Sequence, residues 1–201
     1  MKIYEMKIAP NPRRVRIFLA EKGVTVPFEQ LDTFRGDTKT PEFLGKNPLG
    51  ALPVLELDDG TCIAESIAIC RYFEGLHPNP PLMGTGTLGQ ASVEMWQRRM
   101  EFNVFLPIEQ TFLHSSELFR ARPQVAEFAE VCRRKAYQGL EWLDSVFATR
   151  RYVAGDVYTI ADITALVAVD FTRFPAIEVK PELQHLKRWH AEVSGRPSAQ
   201  A

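Results

Sequence analysis

A proline interrupts a segment that otherwise has the pattern of a β-strand. Pro53 begins the apolar run 54–57. Proline has no N–H and is tolerated only at the first residue of a strand, at an edge or at a bulge. A cis Leu52–Pro53 bond would leave the backbone N–H and C=O of Leu52 unpaired and pointing outward. These two groups would bind a short extended peptide, whereas an ordinary trans proline would only open an edge strand.

Two polar residues follow the hairpin turn that Asp59-Gly60 predicts. Ser66 lies at the expected N-terminus of a helix, where free N–H groups and the helix dipole favour a carboxylate. Glu65 is able to pair with an ammonium. A carboxylate and an ammonium on one carbon describe the end of an α-amino acid. The alternative for Ser66 is a plain helix N-cap, a position that serine often takes.

Five segments occur in an order and spacing typical of one protein family. They are the first strand and helix at 1–23, the stretch 40–48, Pro53 with the hairpin and Glu65-Ser66, the turn Thr159-Ile160-Ala161-Asp162, and the final helix with Trp189 and Arg196-Pro197. Together they resemble the soluble, cytosolic-type bacterial glutathione S-transferases, and the resemblance covers nearly the whole chain.

The resemblance implies an α+β protein of two domains. Residues 1–76 are expected to form a thioredoxin-like βαβαββα domain, 77–86 a proline-rich linker, and 87–201 an all-α helical bundle. The residue pattern agrees, because strand signals are scarce in the last segment. Pro107 predicts a kink or break near Val104 in the first long helix of that domain.

Thr159 and Asp162 predict the start of a core helix in the second domain. Asp162, three residues after the N-cap, would accept the amide of Thr159, and the threonine side chain would accept the amide of Asp162. This capping box is expected to be structural, and its loss is expected to cost about 1–2 kcal/mol.

The resemblance also implies which residues bind glutathione. Leu52, held by Pro53, would pair with the cysteinyl backbone through its own N–H and C=O. Glu65 and Ser66 would bind the γ-glutamyl head. Lys39 lies at a family position that often holds a basic or amide side chain, so it is expected to bind the glycine carboxylate. Without the resemblance, a lone surface lysine is usually a solvated charge.

The turn after the first strand departs from the family pattern. Members of the family place a hydroxyl or amide there, because a donor aimed at sulfur favours the thiolate, which is the nucleophile. Ala9 stands where relatives with a Ser/Thr-Pro-Asn turn carry the hydroxyl, and Tyr4 lies inside the strand. Asn11 is the best remaining donor and resembles branches of the family that use an asparagine. Its alternative role is a helix N-cap with Pro12 as the first helical residue.

These residues predict a glutathione transferase that conjugates the thiolate of glutathione to a small electrophilic, hydrophobic substrate. Glutathione would be the co-substrate, with no metal and no redox cofactor. Two alternatives stay open: a catalytically weak glutathione-binding or interaction module, and a glutathione-dependent lyase or isomerase. Thiol–disulfide exchange of the glutaredoxin type would need a cysteine in the 6–14 turn, which has none.

The electrophile is expected to lie between the two domains, which is where such pockets usually form. Ile8 of the first turn and Phe105 of the long helix are the residues predicted to line it. An aromatic stripe at helical spacing is more often part of a core, so Phe105 has a structural alternative.

Composition excludes several other classes of protein. A formal net charge of -1 argues against a nucleic-acid binder, and no apolar run approaches the roughly 18 residues of a membrane span. Three cysteines without metal-type spacing, and an N-terminus without the apolar core of a signal peptide, predict a reduced cytoplasmic setting. The family resemblance implies a homodimer.

Overall fold

The structure, a computed structural model, describes all residues from 1 to 201. It divides into two compact units, Met1–Pro81 with Gln200–Ala201, and Leu82–Ala199. The first unit combines strands with helices, and the second is helical. The predicted α+β class is therefore confirmed, and the division falls within the proline-rich segment 77–86.

The first unit has four strands and three α-helices in the predicted order βαβαββα. They are β1 (Lys2–Glu5), α1 (Pro10–Lys22), β2 (Phe28–Gln30), α2 (Pro41–Lys46), β3 (Val54–Glu56), β4 (Cys62–Ala64) and α3 (Ser66–Leu76). A single 3-10 turn, Asp37–Lys39, precedes α2.

The four strands form one sheet in the order β2-β1-β3-β4, in which β1 is parallel to β2 and the other two pairs are antiparallel. Tyr4 lies opposite Val54, and Val54 lies opposite Ala64. The C-terminal ends of β1 and β4 and the N-terminal end of β3 therefore lie at the same end of the sheet. We call this the Pro53 end, after the residue that precedes β3.

Helices α1 and α3 pack against each other and cover the sheet with apolar side chains. Phe18 of α1 and Ile69 and Phe73 of α3 are fully buried. Burial of each such side chain stabilises the fold by about 1.5–3 kcal/mol. At the C-terminal ends of the two helices, the ammonium of Lys22 pairs with Glu74 at 2.5 Å. Because both helices follow a strand that ends at the Pro53 end, their N-termini are held there.

The second unit contains five α-helices. They are α4 (Gly86–Met100), α5 (Leu106–Ser115), α6 (Ala126–Phe147), α7 (Ile160–Phe171) and α8 (Gln184–Ser194). A π-helical segment, Glu101–Phe105, joins α4 to α5. Pro107 cannot donate to the carbonyl of Asn103 four residues earlier, so the regular α-helical ladder cannot continue through this point. The break predicted near Val104 is confirmed.

The predicted capping box at the start of α7 is present. The carboxylate of Asp162 accepts the amide of Thr159 at 3.0 Å. It also accepts the amide of Val153 at 2.9 Å and the indole N–H of Trp189 in α8 at 3.0 Å. Asp162 is therefore more than a helix cap, because it also ties the 153 loop and α8 to the start of α7.

None of the helices combines the length and the apolar character that a membrane span requires.

Candidate functional site

Three segments that carry predicted site residues meet at the Pro53 end of the sheet. The turn 6–9 follows β1, Leu52 and Pro53 precede β3, and Glu65 with Ser66 follows β4. The chain that leads to Lys39 starts from the same end, because the amide of Leu31 donates to the carbonyl of Glu5 at 2.8 Å. The strand register thus brings together residues that are far apart in the sequence.

The main chain of Leu52 is free to pair with a ligand. The Leu52–Pro53 bond is cis, and Pro53 is therefore not the ordinary trans proline of an edge strand. Neither the N–H nor the C=O of Leu52 takes part in a backbone hydrogen bond within the chain. Its side chain is buried in a small cluster with Tyr4, Phe43 and Val54. The side chain therefore fixes the segment, and the backbone donor and acceptor remain available.

Glu65 has a backbone conformation that residues other than glycine rarely adopt. Its φ is 70° and its ψ is 120°, and it is the N-cap of α3. Such a conformation costs about 1–3 kcal/mol and persists only where the surrounding structure imposes it. Non-glycine strain of this kind occurs most often at ligand sites. The conformation places the backbone of Glu65 directly before the first turn of α3.

Ser66 is buried and is the first residue of α3, so its alternative role as the N-cap is wrong. The first backbone bond of the helix runs from the amide of Ile69 to the carbonyl of Glu65 at 3.0 Å. No side chain caps this helix. The amides of residues 66 to 68 therefore have no acceptor within the helix and point towards the space in front of it, where they favour an anion.

Lys39 is exposed at the end of the 3-10 turn and takes part in none of the ion pairs of the chain. Its ammonium lies against Gly50, two residues before Leu52, where a Cβ would be only 2.7 Å from Nζ. The structure thus places an uncompensated positive charge close to the free main chain of Leu52.

Asn11 is the second residue of α1, which begins at Pro10. The N-cap is Ala9, an extended residue with φ -79° and ψ 142°, so the N-cap alternative for Asn11 is wrong. The guanidinium of Arg14, one helical turn on, donates to Oδ1 of Asn11. With its oxygen held in this way, the side chain of Asn11 presents its NH₂ group as a hydrogen-bond donor.

Arg14, which donates to Asn11, is a residue of this site for which the sequence predicted no role. It is 5% exposed. The spacing from Asn11 is i to i+3, which places two helical side chains within reach of each other and is the signal that identifies the pair.

Tyr4 does not serve a thiol. It is buried, and its hydroxyl donates to the carboxylate of Glu56 at 2.5 Å. The ammonium of Lys46 donates to the same carboxylate at 3.1 Å. The hydroxyl of Tyr4, and then the ammonium of Lys46, hold the pKa of Glu56 below its ordinary value. These hydrogen bonds join β1, β3 and α2, so the hydroxyl of Tyr4 is engaged within the chain.

The three cysteines do not supply an activated thiol. Burial raises the pKa of Cys62, Cys70 and Cys132. Each thiol is therefore less acidic than that of an exposed cysteine, and none of the three is activated by its surroundings.

The two residues predicted to meet the electrophile belong to different units. Ile8 lies in the turn after β1 and is 73% exposed. Phe105 is buried in the helical unit, with its ring centroid 6.3 Å from that of Phe171. The role of both residues towards the electrophile stays a prediction.

These features define a class: a protein with a βαβαββα unit that has an unpaired backbone donor and acceptor beside a cis proline, followed by a helical unit. The chain matches the family model "Glutathione S-transferase, N-terminal domain" over residues 8–76 and "Glutathione S-transferase, C-terminal domain" over residues 103–197. The chain belongs to the glutathione S-transferase family, and the expectation of a glutathione transferase with a thioredoxin-like domain is confirmed at the level of the family.

Individual relatives agree over nearly the full length. Glutathione S-transferase 2 of Saccharomyces cerevisiae is 37% identical over 98% of this chain and 87% of its own. The crystal structure of a glutathione S-transferase domain-containing protein from Marinobacter aquaeolei has a TM-score of 0.95 and 38% identity, covering 98% of this chain and 99% of that one. The crystal structure of Gtt2 from Saccharomyces cerevisiae has a TM-score of 0.94 and 37% identity, covering 100% and 99%.

Proposed function

We propose that this protein joins the sulfur of glutathione to an electrophilic carbon of a small hydrophobic molecule. The observation that carries the proposal is the meeting of Asn11, Leu52 and the Glu65–Ser66 pair at the Pro53 end of the sheet. That arrangement follows from the register of Tyr4 and Ala64 on either side of Val54. Glutathione is the co-substrate, and the proposal requires no other cofactor.

The groups at this end match the charges of the tripeptide in order. The α-carboxylate of the γ-glutamyl head accepts hydrogen bonds from Ser66 and the free amides of α3, and its ammonium pairs with Glu65. The cysteinyl residue pairs with the N–H and C=O of Leu52 as a short antiparallel strand. The glycine carboxylate binds the ammonium of Lys39.

Asn11 is the group proposed to activate the thiol. Its NH₂ donates to the sulfur, and the positive end of the α1 dipole adds stabilisation, so that the thiolate is favoured over the thiol. The thiolate then attacks the electrophilic carbon, forming a C–S bond, and the displaced group leaves with its bonding electron pair. Arg14 positions Asn11 by holding the oxygen of the amide.

The electrophile is proposed to contact Ile8. The side chain of Ile8 is exposed in the same turn that leads into Asn11, so an apolar molecule held there would lie near the sulfur. A small apolar contact of this kind favours hydrophobic electrophiles without selecting a particular one.

The thiolate absorbance of bound glutathione, followed against pH, tests the proposal. We expect the pKa of the bound thiol to lie below that of free glutathione in the wild type. Asn11→Ala and Asn11→Asp should both raise it. The aspartate variant matches asparagine in size and keeps an oxygen for Arg14, but its negative charge also disfavours the thiolate, so Asn11→Ala measures the loss of the donor alone.

Ala9 supports a second candidate function, a glutathione-binding module with little turnover, because it leaves the turn without a hydroxyl. A bound-thiol pKa equal to the free value in the wild type would favour that module. A glutathione-dependent lyase or isomerase would show a lowered pKa but release glutathione unchanged after turnover, which mass spectrometry of the products distinguishes.

A further inference from the structure

Gly50 occupies a turn that is fixed by one buried residue, through its backbone carbonyl and its side chain. The amide of Gly50 donates to the carbonyl of Asn47 at 2.9 Å, and the side-chain amide of Asn47 donates to the carbonyl of Ala51 at 2.9 Å. Asn47 is 4% exposed. Because the turn is held from inside, Gly50 cannot easily move away from its neighbours.

The space where a side chain of Gly50 would lie is filled by the 3-10 turn Asp37–Lys39. A Cβ on Gly50 would lie 2.7 Å from Nζ of Lys39 and 2.8 Å from the carbonyl oxygen of Thr38. Real Cβ atoms do not approach other atoms to less than 3.0 Å. Any residue other than glycine would therefore displace the ammonium and press on a backbone carbonyl that has little freedom to shift.

From this contact we infer that Gly50 is a positioning residue for Lys39, and that it sets the reach of the ammonium to the glycine carboxylate of glutathione. This inference rests on the proposed function. The length of an extended tripeptide agrees with this role. A peptide antiparallel to Leu52 runs past Ala51 after its cysteinyl residue, at about 3.3–3.6 Å per residue. Its terminal carboxylate then arrives beside Gly50, where the ammonium lies.

Two further observations support this assignment. Lys39 has no acidic partner in the chain, so its charge is available to a ligand. Gly50 has a φ of +60°, and the chain has another glycine in nearly the same conformation, Gly23 at +65°, with nothing within 4 Å of its Cβ position. The two glycines therefore have nearly the same backbone conformation, but only Gly50 has the ammonium of Lys39 at the position of its missing Cβ.

Titration calorimetry with glutathione and with γ-glutamylcysteine, which lacks the glycine, tests the inference. The wild type should bind glutathione about tenfold more tightly than the dipeptide, as expected for a charge-assisted hydrogen bond. Lys39→Gln and Gly50→Ala should each reduce this ratio towards one while leaving the affinity for the dipeptide nearly unchanged. In the Lys39→Gln background, Gly50→Ala should change the ratio no further.

Gly23→Ala is the matched control, because it introduces a Cβ at the same φ without a contact, and it should keep the wild-type ratio. Should Gly50→Ala fail to fold, Gly50→Asn replaces it, since asparagine tolerates positive φ better and carries the same Cβ. A folded Gly50 variant with the wild-type ratio, or with equal losses for both ligands, would overturn the positioning role. A wild type that binds neither ligand would instead contradict the proposed function.

Discussion

Glu65 combines a strained backbone with the carboxylate assigned to the ammonium of glutathione. A residue that has only a structural role gains nothing from a φ of 70°, because glycine would take that conformation without strain. The strain is instead consistent with a side chain that has to point into a ligand site. Stability and binding are therefore opposed at this residue.

Glu65→Gly should separate the two effects. Compared with Glu65→Ala, which keeps the strain and also lacks the carboxylate, the glycine variant should have a free energy of unfolding higher by about 1 kcal/mol. Both variants should bind glutathione more weakly than the wild type. Urea unfolding and titration calorimetry measure the two quantities. A glycine variant less stable than the alanine variant would show that the conformation is not strained.

Not every residue of the candidate site was predictable from the sequence. The placement of Leu52, Pro53, Glu65 and Ser66 was, because a proline, a hairpin turn and a helix start are local signals; their role towards glutathione stays a prediction. The sequence does not fix the start of α1, which is Pro10 and not Pro12, since both prolines are tolerated in a first helical turn, where backbone N–H groups have no acceptor. The contact of Gly50 with Lys39 depends on two segments eleven residues apart, and no local pattern reveals it.

Among the elements, the start of α7 shows how one carboxylate can hold several segments. Asp162 accepts hydrogen bonds from Thr159, from Val153 and from Trp189, with no cation beside it. The sequence predicted its bond to Thr159, which is local. The hydrogen bonds to Val153 and to Trp189 of α8 depend on tertiary packing, so the local sequence pattern does not predict them.

Burial raises the pKa of Asp162 from 3.8 to about 6. A folded-state pKa above the unfolded value means that the folded protein binds the proton more tightly. The stability that this group contributes is thus complete below about pH 4 and is lost as the pH rises through 6. The test compares the free energy of unfolding of the wild type with that of Asp162→Asn. The wild-type value minus the variant value should fall by about 3 kcal/mol between pH 4 and pH 8. A difference that stays constant or grows with pH in urea unfolding would contradict this.

Close packing at the π-helical segment gives a second prediction for the elements. A Cβ on Gly139 of α6 would lie 2.3 Å from the carbonyl oxygen of Asn103. Gly139→Ala should therefore lower the free energy of unfolding by about 1–3 kcal/mol, as overpacking does. Gly75→Ala in α3, where nothing lies within 4 Å, is the control and should stabilise by about 0.5–1 kcal/mol. Thermal unfolding that ranks the two variants the other way would refute the packing account.

For the whole molecule, the fold was largely predictable because its signals are local and occur in the order of the chain. The hairpin at Asp59-Gly60 fixes how β3 pairs with β4, and Pro53 marks the residue at which β3 begins. The pairing of β1 with β3, which joins residues about fifty positions apart, required the three-dimensional structure. That pairing places the start of α1, which carries Asn11, at the same end of the sheet as Leu52.

A homodimer remains an expectation from the family resemblance, and the helical unit has a surface that fits it. Leu88, Met95 and Phe102, spaced by seven residues, are all exposed apolar side chains. This spacing places them along one side of a helix, where an apolar stripe favours contact with another protein surface.

Light scattering should give the wild type about twice the monomer mass and Met95→Glu the monomer mass. Val157→Glu, at an exposed apolar residue outside the stripe, should leave the wild-type mass unchanged. A wild type that stays monomeric at every concentration would contradict the expected dimer.

The most direct test of the central claim is the crystal structure of the protein with bound glutathione. We expect the cysteinyl residue to pair with the backbone of Leu52 and the NH₂ of Asn11 to lie within hydrogen-bonding distance of the sulfur. A tripeptide bound elsewhere, or a sulfur that faces away from Asn11, would contradict it.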